Sequence, residues 1–383
     1  MTDPTIAILE VLARRPRASR AELADATGLS PATVGRAVGR LRRDGFLREV
    51  HIESSGVGRP PRIIELDDRS AMVVGIDAGG RTLRAAVADL GGRLRARIAL
   101  PVRDPTDPEA LLDDLVALVE ELSGSVRPGA VQAVVAGISG IVDRDNGTVL
   151  LSPDLPGLNR VSVAARLAER VGRPATIDND DLLAAIGEAV AGAAIGCRDV
   201  VFLSLGYGLG AGLIVGGRPV HGASHAAGAI AYLGPGRLEE RASGRAIPLR
   251  YREAAPAGSA LEVADARAVF ELAEAGDPVA SRVVAEVAAA LGEMVVDVAA
   301  LLDPEVVVVG GGLADAGSAL FVPLSERLRT SLPYPPRLVP SALEDAAVLH
   351  GAVSVALALA RRRLAGLGPA ARPEAERSSL ALL

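Results

Sequence analysis

Apolar positions recur at helical spacing near the N-terminus and give way to short apolar runs past Asp67-Asp68. In TIAILEVLARR the apolar residues are Ile6, Leu9, Leu12 and Ala13, a helix that Pro16 ends. Ser19 precedes RAELADATG with Glu22 three residues on, the pattern of a capping box, and Gly28 supplies the turn after that helix. Ser30 and Pro31 then cap and open LSPATVGRAVGRLRRDG, whose inward stripe is Val34, Val38 and Leu41. That stripe leaves Ala32, Thr33, Arg36, Arg40 and Arg43 on the outward faces, and Gly45 ends the helix. Helix, helix, turn, helix predicts a helix-turn-helix whose third helix offers its N-terminal residues, Ser30 included, to base edges in a major groove. FLREVHIESSGVGRPPRIIEL reads as two short strands around a loop, a wing. Arg59, between Gly58 and Pro60, sits on a stiff loop that can push a guanidinium into a narrow minor groove, and Arg62 follows it.

The remaining chain alternates apolar strands with Ala-rich helices. AMVVGIDAGG and TLRAAVADLGG predict a hairpin that turns through Asp77, Gly79, Gly80 and Arg81. LLDDLVALVEEL is an amphipathic helix, and VQAVVAGISGIVD a buried strand running into a loop. PATIDNDDLLAAIGEAVAGAA predicts a strand ending at Asp178-Asn179-Asp180, then a helix. DVVFLSLGYGLGAGLIVGGRPV repeats the first hairpin, with Gly206, Gly208, Gly210 and Gly212 at its turn. A helix from Pro278 to Leu302 leads into DPEVVVVGGGLAD, a strand that ends in Gly310, Gly311 and Gly312, and a helix from Leu349 to Arg363 closes the fold. Two such hairpins, one in each half, predict a duplicated lobe. Glycine-rich turns expose backbone N–H groups that can cradle phosphate, although tight turns and close packing need glycine too. Two turns and a triple glycine together point to a cleft between lobes with nucleotide-binding ancestry.

Charge and composition narrow the picture. Residues 11 to 62 hold eleven arginines against five carboxylates, a net of +6, so the rest carries −12 of the overall −6. A basic head on an acidic body points to a polyanion met by the head alone. Aromatic residues are 2% of the chain and Trp is absent, which argues against single-strand binding by base stacking. All the basic residues are arginine, so no step can use a lysine ammonium. Cys197 is the single cysteine, which excludes an intrachain disulfide and a multi-cysteine zinc site. The N-terminus lacks the pattern of a signal peptide, and AVLHGAVSVALALA falls short of a membrane span, so a cytoplasmic protein is expected.

These motifs resemble the ROK family (repressor, open reading frame, kinase). GVGRPPRIIELD, GIDAGG, IDND, GYGLGAGLIVGGRPVHGASHAAG, AGD at Ala275 to Asp277 and DPEVVVVGGG occur in the family's order. The resemblance covers nearly the whole chain. It implies an α/β protein: an N-terminal winged helix-turn-helix followed by a two-lobed, actin-like and ribonuclease-H-like body. The expected division is a DNA-binding domain over 1–68, a first lobe over 69–188 with a closing helix at 345–365, a second lobe over 189–344 and a flexible tail over 366–383. By the resemblance, Asp77 would lie near metal and phosphates with Gly79, Gly80, Arg81, Gly206, Gly208, Gly310 and Gly311. Asp180 would be the base that takes a proton from a sugar hydroxyl, and Asn179 and Asp154 would touch sugar hydroxyls.

The sequence also departs from the family. Arg81 stands where Asp-x-Gly-Gly-Thr has its threonine, and Tyr207 interrupts the second loop's Gly-Thr-Gly. Gly228-Ala229-Ile230-Ala231-Tyr232 replaces Gly-Glu-Ile-Gly-His, so the sugar-clamping Glu and the His are absent. The zinc-holding cysteines are missing, and Leu182 replaces an asparagine after the Asn-Asp pair. Phosphoryl transfer rests on positioning and charge neutralisation, so a lone Asp180 is expected to be a vestigial base. No metal and no cofactor are expected; ATP and Mg²⁺ belong only to the alternative, an active sugar kinase carrying a winged helix. The expected protein is a transcriptional regulator, a repressor tied to carbohydrate metabolism. It would bind a double-stranded operator as a homodimer or homotetramer. A sugar or sugar phosphate effector would sit against Asp154, Asn179, Asp180, Ala229 and Tyr232; a DNA-bound partner without any effector is a third reading.

Overall fold

A computed structural model describes residues 3–51, 62–67, 70–127, 129–234, 237–256, 263–314 and 317–367. The head comprises α1 (Pro4–Arg14), β1 (Arg17–Ser19), α2 (Arg20–Thr27), α3 (Pro31–Arg43), β2 (Leu47–His51) and β3 (Arg62–Leu66). The capping box forms: Ser19 Oγ accepts from the Glu22 N–H, and the Glu22 carboxylate accepts from the Ser19 N–H at 2.7 Å. Gly28 ends α2 with φ +66°, a left-handed conformation that costs glycine least. Ser30 caps α3 by accepting from the Thr33 N–H, with Pro31 opening the helix. The strands pair antiparallel in the order β1-β3-β2. Ile8, Leu9, Leu12, Leu23, Val34, Val38, Leu41 and Ile64 are buried, so the α3 stripe is as read from the sequence, whereas in α1 Ile8 is buried and Ile6 and Ala13 are only partly so. Each such side chain contributes about 1.5–3 kcal/mol by leaving water. Arg59, the wing tip and residues 368–383 lie outside the described residues.

The body continues with β4 (Met72–Ala78), β5 (Thr82–Asp89), β6 (Leu94–Pro101), α4 (Pro108–Gly124), β7 (Val131–Ile138), β8 (Ile141–Asp143), β9 (Thr148–Leu151), α5 (Val163–Val171) and β10 (Ala175–Asn179). Then come α6 (Asp180–Ala191), β11 (Val200–Leu205), β12 (Leu209–Val215), β13 (Arg218–Pro219), α7 (Leu238–Ala242), α8 (Ala246–Ala254), α9 (Ala266–Glu274) and α10 (Pro278–Leu302). The last are β14 (Val306–Gly310), α11 (Ser318–Ser331), β15 (Arg337–Pro340) and α12 (Ala347–Leu364). The two hairpins seen in the sequence seed two five-stranded sheets, β10-β7-β4-β5-β6 and β13-β12-β11-β14-β15. In each sheet a central strand turns back antiparallel into its hairpin partner on one side, β4 into β5 and β11 into β12. On its other side it pairs parallel with a later strand, β7 or β14. The duplication is therefore one of topology as well as of motif. Each sheet has its own core: leucines of α4 and α5 close the first, and the long α10 closes the second.

The chain divides into two compact units, residues 1–178 with 352–380 and residues 179–351 with 381–383. The boundary thus precedes α6 rather than following residue 188, and it cuts the closing helix at 351/352. The head belongs to the first unit, as its short connection to β4 requires. There the end of α12 lies against α1 and α3. Arg361 is partly buried there and feels the charges of Glu10 and Arg14: burial pushes its guanidinium pKa down, which Glu10 opposes and Arg14 reinforces. Burial likewise pushes the Glu10 carboxyl up, against the pull of Arg361 and Arg14.

Candidate nucleic-acid interface and phosphate loops

The outward face of α3 begins at its cap. Ser30 Oγ and Thr33 Oγ1 are 2.9 Å apart, and Arg36 Nη2 donates to Thr33 Oγ1 at 3.2 Å. The fold so brings together three of the predicted base-edge residues on one exposed turn, with Ala32 exposed beside them and Arg43 exposed at the far end of the helix. Arg40 departs from the expectation. Its guanidinium donates to Thr5 Oγ1 on α1 and, at 3.5 Å, to the Ala365 carbonyl beyond α12, so it is half-buried within the first unit instead of facing outward. Helical periodicity placed it outside; a partner 325 residues away in the chain turns it inward. Arg62 is exposed and lies 3.6 Å from Glu49.

Among the described residues of this head, two carboxylates organise five arginines, a feature that no local motif announces. Glu49 pairs with Arg20, Arg42 and Arg62. Glu65, buried on the central strand, pairs with Arg17 on one neighbouring strand and Arg48 on the other. Strand alternation carried the signal: Glu65 stands directly opposite both Arg17 and Arg48 in the registers, and such cross-strand pairs share a face.

In the first unit, Asp77 lies in β4 rather than in the turn. It is buried, and Arg84, its direct cross-strand partner, places Nη1 3.2 Å from Asp77 Oδ2. The turn itself is Gly79, Gly80 and Arg81, with Arg81 exposed. Asp154 accepts from Ser139 Oγ at 3.1 Å and packs on Gly80, where a Cβ would stand 2.7 Å from the Asp154 Cβ. Gly80 therefore answers to close packing as well as to any phosphate.

The other loops lie in the second unit. Asn179 caps α6: its Oδ1 accepts from the Leu182 N–H at 2.8 Å, and its Nδ2 donates to Asp180 Oδ1 at 3.2 Å. Gly210 and Gly212 lie in β12, beyond the turn, and let α6 approach. A Cβ on Gly210 would stand 1.7 Å from the Asp181 carboxylate, and one on Gly212 2.0 Å from the Asp181 carbonyl oxygen. Where the turn enters β12, Glu239 Oε2 accepts from the Leu209 N–H at 3.0 Å, while Arg245 holds Glu239 Oε1 at 2.9 Å. A carboxylate thus already occupies a backbone donor of this loop, beside Gly208 and the exposed Tyr207. Gly310 packs on the Phe202 ring, and Gly311, with φ +85°, on the Leu205 carbonyl. Ala229 precedes a short 3₁₀ turn over Ile230–Tyr232, and Tyr232 is half-exposed with the Arg237 guanidinium 5.4 Å from its ring centre. The candidate effector residues thus divide between the units, Asp154 in the first and the other four in the second. Among the described residues no cluster of three His, Cys, Asp or Glu side chains could hold a metal, and Cys197 is buried as a free thiol.

A winged helix-turn-helix DNA-binding profile matches residues 1–48, and the ROK family profile matches residues 73–359. The chain belongs to the ROK family. This ROK protein is 25% identical to the xylose repressor of Caldicellulosiruptor bescii, over 88% of its own length and 91% of the repressor's. It is 30% identical to the glucokinase of Streptomyces coelicolor, over 66% of its length and 86% of the kinase's. Among solved structures, a ROK family transcriptional regulator homologous to the E. coli MLC protein shares the fold with a TM-score of 0.78 at 23% identity, covering 95% of this chain and 96% of that one. The glucokinase match covers about two thirds of this chain, whereas the two regulator matches cover 88% and 95% of it. Among the described residues no helix is long and apolar enough to cross a membrane.

Proposed function

We propose that this ROK protein is a DNA-binding transcriptional repressor of sugar metabolism, acting in the cytoplasm, whose body no longer transfers phosphate. The observation that carries the reading is the exposed first turn of α3, where Ser30, Thr33 and Arg36 are ordered by one another on a capped, outward helix. A guanidinium so placed can make a bidentate contact to guanine in a major groove. The match to the C. bescii repressor along head and body supports the same reading. A homodimer on a near-palindromic operator fits a head of this class, with half-sites about 34 Å or a multiple apart. A sugar or sugar phosphate effector would act only through its different affinity for the free and DNA-bound conformations.

Three features support loss of catalysis. Arg84 neutralises Asp77, Glu239 fills a donor of the second loop, and Ala229 stands where the family has its sugar-clamping Glu. The rival reading, a sugar kinase, rests on Asp180 and the glucokinase match. Incubation with ATP, Mg²⁺ and a panel of hexoses is expected to release no ADP above background. Hexose-dependent release that Asp180→Asn abolishes would establish the kinase instead. Binding of a labelled fragment from upstream of the protein's own gene at about 0.15 M salt tests the repressor directly.

A further inference from the structure

Glu49 sits in the middle of β2, opposite Ile64. Arg62 lies two residues before Ile64 on β3, so it shares the face of Glu49. Two further guanidiniums reach the same carboxylate from the helices. Arg20, the first residue of α2, places Nη2 3.2 Å from Glu49 Oε1, and Arg42, in the last turn of α3, donates to Glu49 Oε2. Arg62 Nη1 is 3.6 Å from the same Oε2. One carboxylate therefore gathers three cations, and a charge of +2 is left over in one place. The Glu49 side chain is only 12% exposed, while the three arginines are 45–47% exposed, so the anion lies beneath and the guanidiniums face solvent. Half-exposed ion pairs stabilise a fold only weakly, too little to explain crowding three like charges together.

We infer that Arg20, Arg42 and Arg62 form a site for a backbone phosphate of duplex DNA, and that Glu49 is a positioning residue that holds the three guanidiniums in place. The inference rests on the DNA-binding reading above and adds to it a contact away from the base-reading turn. In a helix-turn-helix the first helix of the pair crosses the DNA backbone, which places Arg20, at the start of α2, on the phosphate side. Arginine forks match phosphate oxygens bidentately, and a prearranged cluster loses less side-chain entropy on binding.

The test uses the full chain and a labelled mixed-sequence duplex of about three helical turns, titrated by fluorescence anisotropy from about 50 to about 200 mM salt. Arg20→Ala, Arg42→Ala and Arg62→Ala are each expected to weaken binding about threefold or more and to flatten the salt dependence by about one unit of log–log slope. Glu49→Gln is expected to weaken binding too, with Glu49→Asp closer to wild type, and thermal melts confirm that each variant is folded. Simple electrostatics predicts the opposite for Glu49→Gln, because deleting a negative charge beside a polyanion tightens binding. Tighter binding by Glu49→Gln, or unchanged slopes for the arginine variants, would overturn the site while leaving the DNA-binding reading intact. A wild-type chain that binds no duplex even at the lowest salt would overturn that reading itself.

Discussion

Arg36 and Arg40 sit one helical turn apart on α3, yet of the two Arg36 is exposed and Arg40 half-buried. Arg36→Ala is expected to cost about 1–3 kcal/mol at one operator base pair and to relax the preference there, read by binding to a set of single-base operator variants. Arg40→Ala is expected to leave base preference unchanged and to lower the melting temperature, because it removes the link from α3 to Thr5 and Ala365. Equal losses of base discrimination in both variants would show that Arg40 swings out on DNA. The residue scale also shows what the sequence could carry. The Ser19–Glu22 box, the Ser30 cap and the Arg36 position were legible because each depends on neighbours within a few residues. The inward turn of Arg40, the Asp77–Arg84 pair and the Glu49 cluster depend on strand register or on contacts from distant segments, which local pattern does not encode.

Among the elements, the glycine run after β14 joins positions held by packing to one that is not. Gly311 needs its left-handed conformation and would place a Cβ 2.6 Å from the Leu205 carbonyl oxygen, whereas a Cβ on Gly312 meets nothing within 4 Å. Gly311→Ala is expected to destabilise the protein by about 1–3 kcal/mol, and Gly312→Ala to change it by less than about 0.5 kcal/mol, in thermal or denaturant melts. Similar, negligible effects for both would mean that the run is not held by packing. The start of α12 gives a pH-dependent prediction. His350 is half-buried there, and its burial holds the imidazole pKa below the ordinary value near 6.5, although the Glu188 charge opposes the shift. A depressed folded-state pKa means that the folded chain takes up the proton less readily. The associated stability is present above about pH 6.5 and is lost as pH falls through the depressed value. The melting temperature is expected to fall on acidification across that window, and His350→Gln is expected to reduce the fall. An undiminished fall in the variant would assign it to other groups. The hairpins, the strand before α6 and the helix at Pro278–Leu302 were all legible as elements. Which glycines face a ligand and which face a neighbouring element was not, since both uses leave the same letter in the sequence.

Across the whole molecule, the basic head and the acidic body divide the work. The charge imbalance was legible, and so was the duplicated hairpin, which the matching strand orders of the two sheets extend to a repeated topology. The split of the chain between residues 178 and 179 was less so, because β10 and α6 follow each other without a linker and only packing assigns them to different units. The glucokinase match covers 66% of the chain and the repressor match 88% of it, so a function shared with the repressor is expected to run through α3. Nuclease footprinting of the DNA upstream of the protein's own gene and its neighbours, at about 0.15 M salt, puts that claim to the most direct test. The expected result is a protected, two-fold-related site with half-sites about 10–10.5 base pairs apart or a multiple of that, and loss of its sequence preference with Arg36→Ala. No protected site on any of these fragments, or a footprint indifferent to Arg36, would contradict it.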